Sequence, residues 1–236
     1  MDDADILKHY KKYGNTNLIT ESGLGCNRQI YAIGDSHSIF FHNSMKIYEH
    51  WGFGGKIPLT MFTLLANGID LINVGNILGN GHESGNVKAG DFVLFYYGYN
   101  DTQKNIKQYN SEETEKFIQK MVCDYVTYIH TISRRVNVNP IVVCVYPLPI
   151  KTTSLYIKGS AEERTLYTQL MNKYLKIETD KQNVQYLDIY NIISHNGYIN
   201  ELYSDDLIHL DYTNLSLRNL IEGEIYKLIY ELYPIT

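Results

Sequence analysis

Three reactive side chains follow one another without a spacer in the segment IYAIGDSHSIFF, residues 30–41. Asp35, Ser36 and His37 come directly after an apolar run that ends at Gly34. A serine hydroxyl becomes a nucleophile when a nearby histidine takes its proton and a carboxylate orients that histidine. Ser36 is therefore a candidate nucleophile, whereas Asp35 and His37 could instead form a pair of metal ligands. In a third interpretation the segment is an ordinary turn, in which Ser36 caps a helix.

Three later segments carry side chains that could complete a nucleophilic site. They are a loop rich in glycine and asparagine, the sequence GYND and the sequence SDDLIHLD, at residues 73–85, 98–101 and 204–211. Asp206 lies three residues before His209, so one turn of helix or loop can bring this acid and base together. Asn100 offers an amide NH₂, and a glycine loop offers an unobstructed backbone N–H, to a developing oxyanion. Acyl transfer through a serine ester is the chemistry of such a set.

The elements that must position these groups follow from the apolar pattern. Five continuous apolar runs bounded by turn residues predict strands covered on both faces, at residues 29–34, 69–75, 91–98, 140–147 and 184–190. Apolar residues spaced by three and four predict helices at residues 112–136, 161–181 and about 212–232. Ser160 and Glu163 form a capping box at the start of the second helix. This alternation predicts an α/β fold with a parallel sheet, whose functional groups gather beyond the carboxyl ends of the strands.

The composition narrows the class of protein. A chain of 236 residues that is 44% hydrophobic and 20% charged can bury one large core, and without a linker or repeat it is predicted to be a single domain. A net charge of −5 and the lack of a large Lys/Arg cluster argue against nucleic-acid binding. No apolar run approaches 18 residues and no signal peptide is visible, so we expect a cytoplasmic protein without a membrane partner. Cys123 and Cys144 lie in apolar segments and are predicted to be buried thiols.

In their order along the chain, these segments resemble the SGNH (GDSL-type) hydrolase and esterase family. The four blocks of that family carry a nucleophilic serine, an oxyanion glycine, an oxyanion asparagine in G-x-N-D, and a D-x-x-H pair. Three blocks match without gaps: Gly34-Asp35-Ser36, Gly98-x-Asn100-Asp101 and Asp206-x-x-His209. The resemblance implies a single-domain, three-layer α/β/α (flavodoxin-like) fold with a five-stranded parallel sheet of order 2-1-3-4-5. It covers residues 29–236 as the hydrolase-like domain and leaves residues 1–28 as an N-terminal extension.

The resemblance also assigns a role to each residue of the site. Ser36 would be the nucleophile, His209 the base and Asp206 the acid that orients it. The oxyanion hole would be formed by the N–H of Ser36, the amide of Asn100 and a loop glycine. The loop departs from the family spacing N-x-x-x-x-G, and of the glycines at 75, 79 and 81 we assign Gly79.

The predicted function is therefore that of a serine esterase which removes a small acyl group, such as acetyl, from a carbohydrate or a related ester. His37 makes the first block a GDSH variant, similar to domains that act on O-acetylated polysaccharides. No metal or cofactor is required, and a small-molecule or glycan ester is the expected partner. The acyl-enzyme could also pass its group to an alcohol, so an O-acetyltransferase remains an alternative. The long connection at residues 147–160 is predicted to wall the pocket.

Other classes of protein explain fewer of the residues. A metal-dependent phosphatase would use Asp35 with His37, GNGHE at residues 79–83, and His209 with Asp211, but leaves GYND unexplained. An α/β-hydrolase would need a G-x-S-x-G elbow, which the sequence lacks. An inactive binding module on the same fold would be expected to lack one of the blocks. Within the esterase interpretation Asp35 is predicted to bond the N–H groups of the following turn, and His37 to pack at the rim of the site.

Overall fold

The computed structural model describes residues 28–35, 37, 40, 46–49, 60–71, 87–104, 111–150, 159–204, 209–211 and 213–232. The predicted division into an extension at 1–28 and a domain at 29–236 stays a prediction, because residues 1–27 lie outside this set. Among the described residues, no helix is both long enough and apolar enough to cross a membrane.

The centre of the fold is a parallel sheet. Its strands are β1 (Ile30–Gly34), β2 (Lys46–Glu49), β3 (Phe92–Tyr96), β4 (Asn139–Val143) and β5 (Gln185–Leu187). They pair in the order β2-β1-β3-β4-β5, and every pairing is parallel. All five residues of β1 and of β3 are buried, as expected for strands covered on both faces. The predicted α/β class and the parallel sheet are confirmed.

Four of the five predicted strands are present, but the second one is not confirmed. The sequence predicted a strand at residues 69–75, but residues 69 to 71 are not in a strand, and 72–75 lie outside the described residues. The position beside β1 is instead held by β2, which the apolar pattern did not predict. Among the residues that the structure describes, β2 pairs with β1 alone and so lies at the edge of the sheet. An edge strand need not be covered on both sides, so its sequence KIYE can carry two charged residues.

The three predicted helices are present close to their predicted bounds, and the described residues form three shorter helices that were not predicted. The described helices are α1 (Met61–Asn67), α2 (Tyr99–Lys104), α3 (Ser111–Val136), α4 (Ala161–Gln182), α5 (Tyr190–Ile193) and α6 (Leu215–Leu232). The capping box before α4 is present, because the Glu163 N–H donates to Ser160 Oγ at 3.2 Å and the Ser160 N–H donates to Glu163 Oε2 at 2.8 Å. α3 packs against α4 and α1. A two-stranded hairpin, β6 (Ser194–His195) with β7 (Tyr198–Ile199), and a short 3₁₀ helix at Glu201–Tyr203 precede α6.

Two glycines allow the close approach of elements at the carboxyl edge of the sheet. Gly34, the last residue of β1, lies opposite Tyr96, the last residue of β3, and a Cβ at Gly34 would collide with the backbone of Tyr96. Gly98 joins β3 to α2 with a φ of 114°, in the region that favours glycine. A Cβ at Gly98 would also meet Val145 Cγ2 at 2.6 Å. Glycine thus allows β1 to lie close to β3 just before Asp35, and allows the chain to turn just before Asn100.

Candidate active site

The carboxyl ends of three neighbouring strands bring the candidate residues to one edge of the sheet. Asp35 directly follows β1, and its N–H donates to the carbonyl of Tyr96 at 3.2 Å, which extends the pairing with β3 by one residue. Asn100 lies in the first turn of α2, which begins three residues after β3 ends. Val145 lies beyond the end of β4, where it exchanges two hydrogen bonds with the side chain of Asn172 on α4, at 2.7 and 2.9 Å. Hydrogen bonds thus fix the chain both after β1 and after β4.

The carboxylate of Asp35 links two of the predicted blocks. One of its oxygens accepts the N–H of His37 at 3.0 Å, and the other accepts Asn100 Nδ2 at 3.2 Å. The residue is 1% exposed, so both contacts are shielded from water. The prediction that Asp35 bonds an N–H of the following turn is confirmed. The bond to Asn100 also determines which way its amide faces, because only the NH₂ end can donate to a carboxylate.

The ring of His37 links the first block to the last. His37 is 4% exposed, and its ring lies 4.9 Å from the ring of His209, centroid to centroid, with a tilt of 39° between the planes. Tyr99 packs against the same histidine at 4.0 Å, and Tyr146 meets it edge-on at 5.4 Å. The predicted packing role of His37 is confirmed, although its ring is buried within the protein and not at an open rim.

A small cavity adjoins His37 and is lined largely by buried tyrosines. The free space in this cavity is about that of a single water molecule. Its lining consists of Asp35, His37, Cys144, Val145 and the tyrosines at 96, 97, 99 and 146. Burial raises the pKa of Tyr97, and the nearby Asp35 carboxylate raises it further. Burial likewise raises the pKa values of Tyr96, Tyr146 and Cys144. These groups therefore remain protonated and uncharged near neutral pH, and the cavity is too small for an ester substrate.

The last residue of the G-x-N-D block, Asp101, is a helix cap. It is fully buried, and its carboxylate accepts the N–H of Met61 at 2.8 Å and the N–H of Phe62 at 3.4 Å. These donors belong to the first turn of α1, whose N–H groups have no partner within the helix. Asp101 thereby fixes α1 to α2, next to Asn100. It also places Phe62, which is 58% exposed, beside this block.

The structure describes only part of the predicted catalytic set. Asn100 and His209 are described, whereas Ser36, Asp206 and Gly79 lie outside the described residues, as do residues 151–158 of the predicted pocket wall. The roles assigned to all five site residues stay predictions. Sequence reasoning missed the bond from Asn100 to Asp35, the contact between His37 and His209, and the capping role of Asp101. No local pattern could have revealed these contacts, because each joins residues that are distant in the chain.

The two candidate metal pairs have other partners in this structure. Both oxygens of Asp35 accept hydrogen bonds from N–H groups, and Asp211 Oδ1 accepts both the N–H and the hydroxyl of Thr213, at 2.8 and 2.6 Å. Among the described residues there is no group of three or more His, Cys, Asp or Glu side chains that could hold a metal ion. The acids of both pairs are thus engaged in hydrogen bonds within the protein.

Comparison with known protein families supports the family that the sequence blocks suggested. The model of the GDSL-like lipase/acylhydrolase family matches residues 30–213, which is most of the chain. The chain therefore belongs to the GDSL-like lipase/acylhydrolase family, a family of ester hydrolases. Among curated proteins, none matches this chain.

Solved structures with the same fold cover nearly the whole chain. A GDSL-like lipase from Bacteroides thetaiotaomicron is 16% identical with a TM-score of 0.57, and the match covers 94% of this chain and 98% of that one. A protein from Bacteroides fragilis assigned as an acylhydrolase is 16% identical with a TM-score of 0.55, covering 98% and 99%. A protein from Streptococcus pneumonia described as a platelet activating factor is 17% identical with a TM-score of 0.53, covering 95% and 93%. At these identities the likeness concerns the fold.

Proposed function

We propose that this protein is a serine esterase that removes a small acyl group, such as acetyl, from a carbohydrate or related ester. Ser36 is the nucleophile, His209 the general base and Asp206 the residue that orients His209. Asn100, the N–H of Ser36 and a loop glycine, which we assign as Gly79, stabilise the oxyanion. The family match supports ester hydrolysis, whereas no observation favours transfer of the acyl group to an alcohol.

One observation carries the proposal. Both sequence neighbours of Ser36 contact another block of the predicted site: Asp35 accepts the amide of Asn100, and His37 packs against the ring of His209. Since Ser36 is covalently bonded to both neighbours, these contacts support a site in which nucleophile, base and oxyanion donor converge. The proposed reaction begins when His209 takes the proton of the Ser36 hydroxyl as Oγ attacks the acyl carbonyl. His209 returns that proton to the leaving alcohol, and a water molecule then releases the acyl group.

The carbohydrate part of the proposal rests on two weaker supports. One is the resemblance of the GDSH block to domains that act on O-acetylated polysaccharides. The other is Phe62, an exposed aromatic residue whose backbone N–H is bound by Asp101, the chain neighbour of Asn100. We propose that a sugar stacks on this ring.

The test is hydrolysis of p-nitrophenyl acetate, of its butyrate and octanoate analogues, and of an acetylated oligosaccharide. We expect acetate to be the preferred acyl group in both kinds of substrate. Ser36→Ala and His209→Ala should each lower kcat on the order of 10⁴–10⁶-fold, because members of a triad act as a unit. Ser194→Ala on β6 and His130→Ala on α3 are matched controls outside the predicted blocks and should keep wild-type rates.

Three further measurements separate this proposal from its rivals. A fluorophosphonate should label Ser36 in the folded wild-type protein and leave the Ser36→Ala variant unlabelled. EDTA should not change the esterase rate, and p-nitrophenyl phosphate should not be hydrolysed. Labelling at a different serine, full activity of either triad variant, or activity that EDTA removes and Mn²⁺ or Zn²⁺ restores would each refute the mechanism.

A further inference from the structure

We propose that His37 is a positioning residue for His209: its buried ring packs against the imidazole that Asp206 orients and restricts the movement of that imidazole. The inference rests on the proposed function, because it treats His209 as the base. It assigns a task to a residue that the triad and the oxyanion hole do not use.

Both the backbone and the ring of His37 are held by contacts with neighbouring residues. Its backbone is held by Asp35, whose carboxylate accepts the His37 N–H at 3.0 Å. Its ring is enclosed by Tyr99 at 4.0 Å and by Tyr146 at 5.4 Å, and only 4% of the residue is exposed. A ring packed among aromatic neighbours in this way occupies one orientation, since protein interiors are close-packed. His209 therefore contacts a ring that is itself held by packing.

His209 has its backbone anchored by other contacts. Leu210, the next residue, is 3% exposed, and the N–H of Asp211 donates to the carbonyl of Tyr203 at 2.8 Å. Such contacts hold the main chain but leave χ1 and χ2 of the histidine to be set by whatever the ring meets. The ring of His37 meets that of His209 at 4.9 Å between centroids, with a 39° tilt between the planes. Backbone and ring are thus positioned by different parts of the chain.

The consequence for catalysis is geometric. A base must stay within hydrogen-bond reach of the proton it removes, about 2.6–3.2 Å between heavy atoms, and a displacement of about 1 Å can cost on the order of 100-fold in rate. A ring that keeps His209 in one orientation should therefore raise kcat with little effect on substrate binding. Shape carries this role, so an aromatic ring without nitrogen should replace His37 but an aliphatic chain should not.

The experiment compares His37→Phe with His37→Leu on p-nitrophenyl acetate. We expect His37→Leu to lower kcat by about 10–100-fold with KM unchanged within about twofold. His37→Phe should keep kcat within about threefold of wild type, because it preserves the ring. The rate of labelling by the fluorophosphonate should fall in parallel with kcat, since it reports activation of the serine by its base. The same two substitutions at His130, on α3, are the matched control and should change neither constant.

A second measurement does not depend on turnover. In ¹⁵N-correlated spectra of the histidine rings, assigned with the His209→Ala variant, the His209 signals should be single and sharp in wild type and in His37→Phe. In His37→Leu they should be broadened or averaged by motion of the freed ring. If His37→Leu does not fold, His37→Gln takes its place, because it also lacks a ring.

The outcomes separate this inference from the function on which it rests. An unchanged rate in His209→Ala would refute the proposed function. An inactive His209→Ala beside a fully active His37→Leu would refute only the role of His37. Equal losses in the phenylalanine and leucine variants, a change confined to KM, or unaltered His209 signals in the leucine variant would likewise overturn the role of His37.

Discussion

The residues that hold the site together are different from those that are predicted to react. Asp35 follows β1 and precedes the proposed nucleophile, and in sequence it looks like one more reactive acid. In the structure its carboxylate is committed to two N–H donors, the backbone of His37 and the amide of Asn100. The charge is buried, so its hydrogen bonds are strong and costly to lose. At the scale of single residues, the function of Asp35 is to keep its neighbours in place.

We expect Asp35→Asn to lower both stability and activity. The variant places an NH₂ group where the carboxylate now accepts an N–H, so one donor loses its partner inside the protein. The free energy of unfolding should fall by about 1–3 kcal/mol, and kcat by about tenfold or more as the Asn100 amide loses its orientation. Urea unfolding and p-nitrophenyl acetate hydrolysis measure the two effects. Asp188→Asn is the control, since exposed Asp188 also accepts an N–H two residues ahead, from Tyr190 at 3.2 Å. A fully active Asp35→Asn would contradict this role.

At the scale of elements, the sequence predicted those helices and strands whose bounds depend on residues close together in the chain. The Ser160–Glu163 capping box fixes the start of α4, and continuous apolar runs predict β1, β3, β4 and β5, because those strands are paired on their sides or covered on their faces. β2 escaped prediction because an edge strand has no need of a continuous apolar run. The same limit applies to the site: the block order was visible in sequence, but the contact of His37 with His209 depends on how distant segments pack.

The capping of α1 gives a prediction at this scale. Two side chains serve its first turn: Thr60 accepts the N–H of Thr63 at 2.9 Å, and Asp101 accepts those of Met61 and Phe62. Thr60→Ala and Asp101→Asn should each lower the free energy of unfolding by about 1–2 kcal/mol. Only Asp101→Asn should also lower kcat, by about tenfold, because Asp101 adjoins Asn100 on α2. Equal kcat values in the two variants, measured well below their melting temperatures, would show that the cap does not position Asn100.

The whole molecule is held together by a core that contains many tyrosines. The sequence has 22 of them, and those at positions 31, 96, 97, 125, 146 and 226 are each no more than 4% exposed. Burial raises the pKa of Tyr31 to about 12, and it raises the pKa values of Tyr96, Tyr97, Tyr125 and Tyr146 as well. These phenols are spread across the sheet from β1 to the end of β4, so we expect them to lose their protons only when the whole molecule unfolds.

Alkaline unfolding should therefore be steep, and the sign follows from the direction of the shifts. An unfolded tyrosine loses its proton near pH 10, whereas the buried ones keep theirs, so above about pH 10 the folded state holds more protons than the unfolded one. The free energy of unfolding should fall there by about 1.4 kcal/mol per pH unit for each such tyrosine, and the buried Cys144 should add to the fall from about pH 8.5. Urea unfolding from pH 7 to 11 measures the slope, which Tyr97→Phe should reduce by about one proton. Tyrosinate absorbance should reach its full value only when the circular dichroism signal is lost. Complete titration of all tyrosines in a protein that keeps its native signal would show that these rings are open to solvent.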